Sequence, residues 1–363
     1  MRGPPSEVTY LDANASEPLR PEAHAAMLAS LALPGNPSSV HAAGRRARQV
    51  LEDARERLAA RFGGAPADLV FTSGGTEADA LAIHAFGRGR RLLIGATEHD
   101  AVRAARTDAE IIPVDSDGVI DLAALEAALA GPPALVCLML ANNETGTLQP
   151  VAVAAALCRS HGALLHVDAV QAAGRVAIDL RALGADSLAL SSHKVGGPMG
   201  AGALLLAPDR VATALILGGG QERGRRGGTP PLPAIAGFAA AADVPMQDLS
   251  PLREAVEAVA LAEGAVVLGG PNRLSNTACL GLPGAAAQTQ VIALDLAGVA
   301  VSAGAACSSG KVARSHVLDA MGLGPLAAQA IRVSLPWNAT AKDVAAFAAA
   351  YSAMARRLAR RAA

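Results

Sequence analysis

Residues 187–198 read Ser187-Leu-Ala-Leu-Ser-Ser-His-Lys194-Val-Gly-Gly-Pro198. A short apolar run delivers two hydroxyls, an imidazole and a lysine, and a glycine turn follows. Lysine is scarce in this chain. Only Lys194, Lys311 and Lys342 occur, so the other 28 of the 31 Lys and Arg residues are arginine. Where arginine serves for plain positive charge, a retained lysine points to chemistry that needs an amine with a movable pKa, such as a Schiff base. The ordinary alternative is a surface lysine in a glycine loop.

The same unit recurs on either side. Asp68 to Phe71 leads into Thr72-Ser-Gly-Gly-Thr-Glu77 and the helical stretch TEADALAIHAF. Leu92 to Gly95 ends at ATEHDAV, Leu135 to Leu140 at ANNETG, and Leu164 to Val167 at DAVQ. Strand, polar cluster and helix in repetition predict an α/β fold with a mostly parallel sheet covered by helices. Ligands of such sheets bind beyond the carboxyl ends of the strands, so these clusters are expected to converge. The alternation fades near AAADVPMQDLSP (240–251). The expected division is a large α/β domain over 1–245, with an N-terminal arm, and a smaller α+β domain over 246–363.

With 363 residues the chain is long enough for two cores. Aromatics are 2 % against 52 % hydrophobic residues, so the cores must be built from Ala, Leu, Val and Ile. A net charge of -1 gives no electrostatic case for nucleic acid or an anionic membrane. No apolar h-region of a signal peptide occurs, and the apolar run 127–141 is broken by Gly131-Pro-Pro133, so the default expectation is cytoplasmic. Cys137, Cys158, Cys279 and Cys307 are far apart with no CxxC pair, which argues against a zinc site and a disulfide framework.

Each cluster has a chemical reading beside an ordinary one. Gly74, Gly75 and Thr76 open a helix and can receive an anion, or form a simple cap. Asp168 ends a buried strand and needs a partner; a protonated pyridinium nitrogen is one, a helix cap another. His99 can lie on a cofactor ring or move protons, or simply bond within a turn. The segment GGGQERGRRGGT (218–229) suits phosphate or a subunit contact, or is a solvated loop. Cys307 sits in SAGAACSSG, where no large side chain can bury it, whereas Cys137 and Cys158 read as core. Arg332, on the short strand Ile331-Arg-Val-Ser334, is a natural fork for a carboxylate.

Taken in order, YLDANAS (10–16), NPSS (36–39) with His41, TSGGTE, EHDAV, NNETGTLQP, HVDAVQ, SSHK, GGGQERG, the GGT triplet and the cysteine loop resemble the cysteine desulfurases. These are class V aminotransferases within the fold type I pyridoxal 5'-phosphate enzymes. The resemblance implies that Lys194 holds the cofactor as a Schiff base, with His99 stacked on its ring, Asp168 at the ring nitrogen and Gln171 at the ring hydroxyl. Gly75, Thr76, Ser191 and His193 would hold the phosphate, joined by Thr229 from a second subunit of a homodimer. Asn143, Arg332 and Asn14 would orient L-cysteine. Cys307 would take its sulfur as a persulfide, for delivery to an acceptor such as an iron–sulfur scaffold protein. Departures from the family pattern occur at Ser16, Gly197, Met199, Gly227-Gly-Thr-Pro-Pro231 and Leu335-Pro-Trp-Asn338. The alternatives are a selenocysteine lyase, a β-lyase, another aminotransferase, or a non-catalytic relative.

Overall fold

A computed structural model describes residues 8–304 and 314–362. The first strand, β1 (Thr9–Tyr10), precedes the helices Pro21–Leu31 and Ala42–Arg61. Seven strands then build the large sheet: β2 (Leu69–Thr72), β3 (Arg91–Gly95), β4 (Glu110–Ile112), β5 (Ala134–Met139), β6 (Leu164–Asp168), β7 (Ser187–Ser191) and β8 (Gly202–Leu206). Their spatial order is β2-β8-β7-β6-β5-β3-β4. Strands β3 to β7 pair in parallel, and β8 runs against both β2 and β7. The predicted, mostly parallel sheet is present. The apolar run GALLL specifies that β8 is buried and leaves its direction open.

Side chains alternate between two cores because successive residues of a strand face opposite ways. In β5, Val136 and Leu138 join the core under the helices Ala42–Arg61, Val151–Ser160 and Leu232–Ala242. Leu135 and Cys137 face the other way, toward the helix Gly75–Phe86. In β6 the same alternation sends Leu165 and Val167 to the first core. Asp168 is thereby carried to the other face, at the carboxyl end of its strand.

The rest of the chain adds β9 (Val266–Leu268), β10 (Thr277–Gly281), β11 (Val299–Ala300), β12 (Ser302–Ala303) and β13 (Ala330–Ser334). Four of them form an antiparallel sheet in the order β12-β13-β10-β9. The helices Ser250–Ala262, Ala287–Leu296 and Ala341–Ala362 accompany it, and Phe347 stacks on Tyr351 at 5.2 Å in its core. The N-terminal segment lies along this smaller unit. Thr9 pairs with Val299, Ser334 N–H donates to Leu11 O at 2.9 Å, and Ala13 N–H donates to Ser334 O at 3.1 Å.

Candidate active site

The carboxyl ends of β5, β6 and β7 open onto a cavity of about 250 Å³. Gly75, Thr76, His99, Asn143, Asp168, Gln171, Ser191, His193 and Lys194, all singled out from the sequence, line it. Residues from five separate segments thus meet where an open α/β sheet binds its ligands.

The glycine turn is held close to its neighbours. A Cβ at Gly202 would fall 2.6 Å from Gly74 Cα and C, and one at Gly75 would fall 2.6 Å from Val170 Cγ2. Those approaches place the first turn of the helix Gly75–Phe86, with its free N–H groups, against the cavity. Gly74 stands at the N-cap with no side-chain cap bond, so Thr76 is not the cap.

Lys194 ends a single helical turn, Ser192–Lys194, and is half-buried. Its Nζ donates to Asn14 O at 2.5 Å and to Ala15 O at 3.0 Å. Burial pushes its pKa down to about 7, helped by Arg332 and Arg175 and opposed by Asp12 and Asp168. Asp168 is buried, and Val170 N–H donates to its Oδ1 at 2.9 Å. That is the one hydrogen bond reaching its carboxyl among the described residues. Burial and the neighbouring Asp79 push its pKa up to about 7, against the pull of the Val170 N–H and of His99 and His166.

His99 makes the turn bond of its ordinary reading and also lines the cavity. Its Nδ1 accepts from Ala101 N–H at 3.1 Å and caps the short helix Asp100–Arg103. Gln171 Nε2 donates to Asn14 O at 2.9 Å. His193 is pushed down to about 4 by burial and by Lys194, so it is neutral near pH 7.

Asn14, Arg332 and Thr229 stand outside the cavity lining. Asn14 is buried, and its Nδ2 donates to Asn143 O and Thr277 Oγ1, each at 3.0 Å. Arg332 is 3 % exposed; its guanidinium donates to Asn143 O at 3.1 Å and to Asp12 Oδ1 at 2.7 Å. Thr229 is exposed and does not line the cavity. Cys307 lies outside the described residues. Cys137, Cys158 and Cys279 are buried, and burial pushes all three thiols up, Cys158 to about 12.

Sequence reading missed a second layer. Asp79 lines the cavity, is fully buried and is pushed up to about 8 by burial. His166 Nε2 lies 3.1 Å from Asp79 Oδ1, and its Nδ1 lies 2.8 Å from Ser187 Oγ. The available signals were spacing alone. His166 shares a sheet face with Asp168, and Asp79 sits one helical turn after Gly75.

The Aminotransferase class-V family model matches residues 9–347. A cysteine desulfurase of Cereibacter sphaeroides is 44 % identical over 360 residues, 93 % of each chain. The crystal structure of a NifS-like protein from Rickettsia africae superposes with a TM-score of 0.87 at 32 % identity, covering 96 % of this chain and 99 % of that one. SspA in complex with cysteine superposes with a TM-score of 0.81 at 31 % identity, covering 91 % and 99 %. The architecture is accordingly that of the fold type I pyridoxal-phosphate enzymes. The chain belongs to the class V aminotransferase family and, within it, to the cysteine desulfurases.

Proposed function

We propose that this chain converts L-cysteine to L-alanine with pyridoxal 5'-phosphate at Lys194, passing the sulfur to Cys307. One observation carries the reading: a buried carboxylate, a lysine whose pKa burial pushes down to about 7 and a bare helix N-terminus line one cavity. These are the complements of a cationic ring nitrogen, an aldehyde and a phosphate, so the residues fit the cofactor. The bound cofactor supplies an electron sink that labilises the substrate's Cα proton.

The chain's own groups supply the rest. Asp168 is the counter-ion for the ring nitrogen, and Gln171 the donor for the ring hydroxyl. His99 covers the ring. Gly75, Thr76, Ser191 and His193 hold the phosphate, completed by Thr229 of a second subunit. Asn143, Asn14 and Arg332 orient the substrate carboxylate. Lys194, with its proton affinity lowered by burial, takes the Cα proton. The Cys307 thiolate then attacks the substrate sulfur. The S–S bond forms as the C–S bond breaks, and protonation of the carbon fragment yields alanine. Net, cysteine and a thiol become alanine and a persulfide.

The same reading includes a homodimer, a cytoplasmic setting, a protein acceptor for the sulfur and a domain division near residue 245. Separate cores and sheets on either side of 245 support the division, although β1 belongs to the smaller unit. Among the described residues no helix is long and apolar enough to cross a membrane.

Incubation with L-cysteine is expected to release alanine and to add one sulfur atom to the Cys307 peptide, read by mass spectrometry. Cys307→Ala should keep the cofactor's absorbance and lose alanine production. Alanine formed at the parent rate by Cys307→Ala would replace this mechanism with the lyase alternative.

A further inference from the structure

We propose that Asp12 is a positioning residue for the substrate carboxylate, holding one edge of the Arg332 guanidinium so that its remaining donors stay aimed. This rests on the proposed role of Arg332 as the carboxylate fork.

Asp12 is itself fixed from three sides. Its backbone bridges to Ser334, and Ser302 Oγ donates to its Oδ2 at 2.9 Å. Tyr10 Oη donates to its carbonyl oxygen at 2.9 Å. Ser302 and Arg332 face each other across β12 and β13, so the one carboxylate spans both members of a cross-strand pair. Its other oxygen, Oδ1, accepts from Arg332 at 2.7 Å, and Asn143 O accepts from the second terminal nitrogen of the guanidinium at 3.1 Å. Arg332 Nε is buried and finds no partner among the described residues.

A guanidinium has five donors in a rigid plane, so two fixed acceptors determine where the others point. The need for a fixed anion is electrostatic. Arg332 acts on two other cations of the site, Lys194 and Arg175, and all three are drawn from different segments. Like charges in a poorly solvated site spread apart unless a counter-ion holds them, and bidentate carboxylate recognition tolerates little displacement. Asp12 is the carboxylate bonded to Arg332 among the described residues.

The test measures ligand binding without turnover. The holoenzyme carrying Cys307→Ala is titrated with L-cysteine, with L-alanine and with cysteamine, which lacks the carboxylate, and the cofactor's absorbance is followed. Asp12→Asn should weaken both amino acids about tenfold and leave cysteamine unchanged. In the Cys307 enzyme, KM for L-cysteine should rise by about the same factor while kcat changes less than about threefold. If all three ligands weaken together, Asp12 is merely structural and the proposal fails. Tighter amino-acid binding would also overturn it, by making Asp12 a competitor for the arginine. Should Asp12→Asn not fold, Ser302→Ala frees only Oδ2. It should weaken the amino acids about threefold and spare cysteamine, and no selective loss there overturns the proposal. L-alanine reports on the carboxylate fork even if no persulfide ever forms, so failure of the desulfurase reading stays separable.

Discussion

Lys194 and Asp168 are displaced in opposite directions by one cause. Burial disfavours both charges, and each group arrives at about 7. For Asp168 the consequence for stability has a definite sign. Its folded pKa is raised from the ordinary carboxylate value, so the penalty is absent below about pH 4, grows from there to about pH 7 and stays constant above it. In cofactor-free protein, Asp168→Asn has no proton to lose. It should match the parent near pH 4 and exceed it at pH 8 by on the order of 4 kcal/mol, read from urea midpoints. The same variant should bind the cofactor more weakly. Lys194 and Asp168 were legible in the sequence, one by scarcity and the other by its place at a strand end. Asp12, Asp79 and His166 were not. Each acts through a partner far along the chain, and nothing near Asp12 signals a bond to Arg332.

At the scale of elements, the strands were legible as apolar runs, and so was the convergence of their polar ends. The direction of β8 and the two-residue strands β1, β11 and β12 were not, because pairing between distant segments decides them. The segment 218–229 also differs from the solvated-loop alternative. Glu222, buried, accepts from Arg55 at 2.8 and 2.9 Å and from Phe71 N–H at 2.9 Å. Arg226 reaches Glu77 in the first turn of the cavity helix at 2.8 Å. Glu222 and Arg223 hold positive φ of 48° and 57°, a conformation costing roughly 1–2 kcal/mol per residue that the ion pairs must offset. Among the described residues, Glu222→Ala would leave the buried Arg55 guanidinium with only Glu52 and Leu69 O as partners and would remove the acceptor of Phe71 N–H. The expected loss is about 3–5 kcal/mol of stability by urea denaturation, accompanied by weaker cofactor binding through the loosened glycine turn.

For the whole molecule, the proposed homodimer has a physical footing just before that segment. Val211, Leu215, Ile216 and Leu217 are 76, 42, 42 and 85 % exposed, an unusual density of large apolar side chains for a surface loop. Leu217→Asp should raise the dissociation constant of the dimer at least about tenfold by light scattering across a dilution series, with the monomer's fold unchanged by circular dichroism. The N-terminal segment adds a constraint of another kind. Thr9 pairs with Val299, while Asn14 and Ala15 accept from Lys194. During synthesis Thr9 leaves the ribosome long before its partner exists. At roughly 5–20 residues per second the wait is on the order of 15–60 s. A nascent chain therefore cannot seat Thr9 on its strand partner until Val299 has been made, and a product cut short by a premature stop codon before Val299 would lack that pairing.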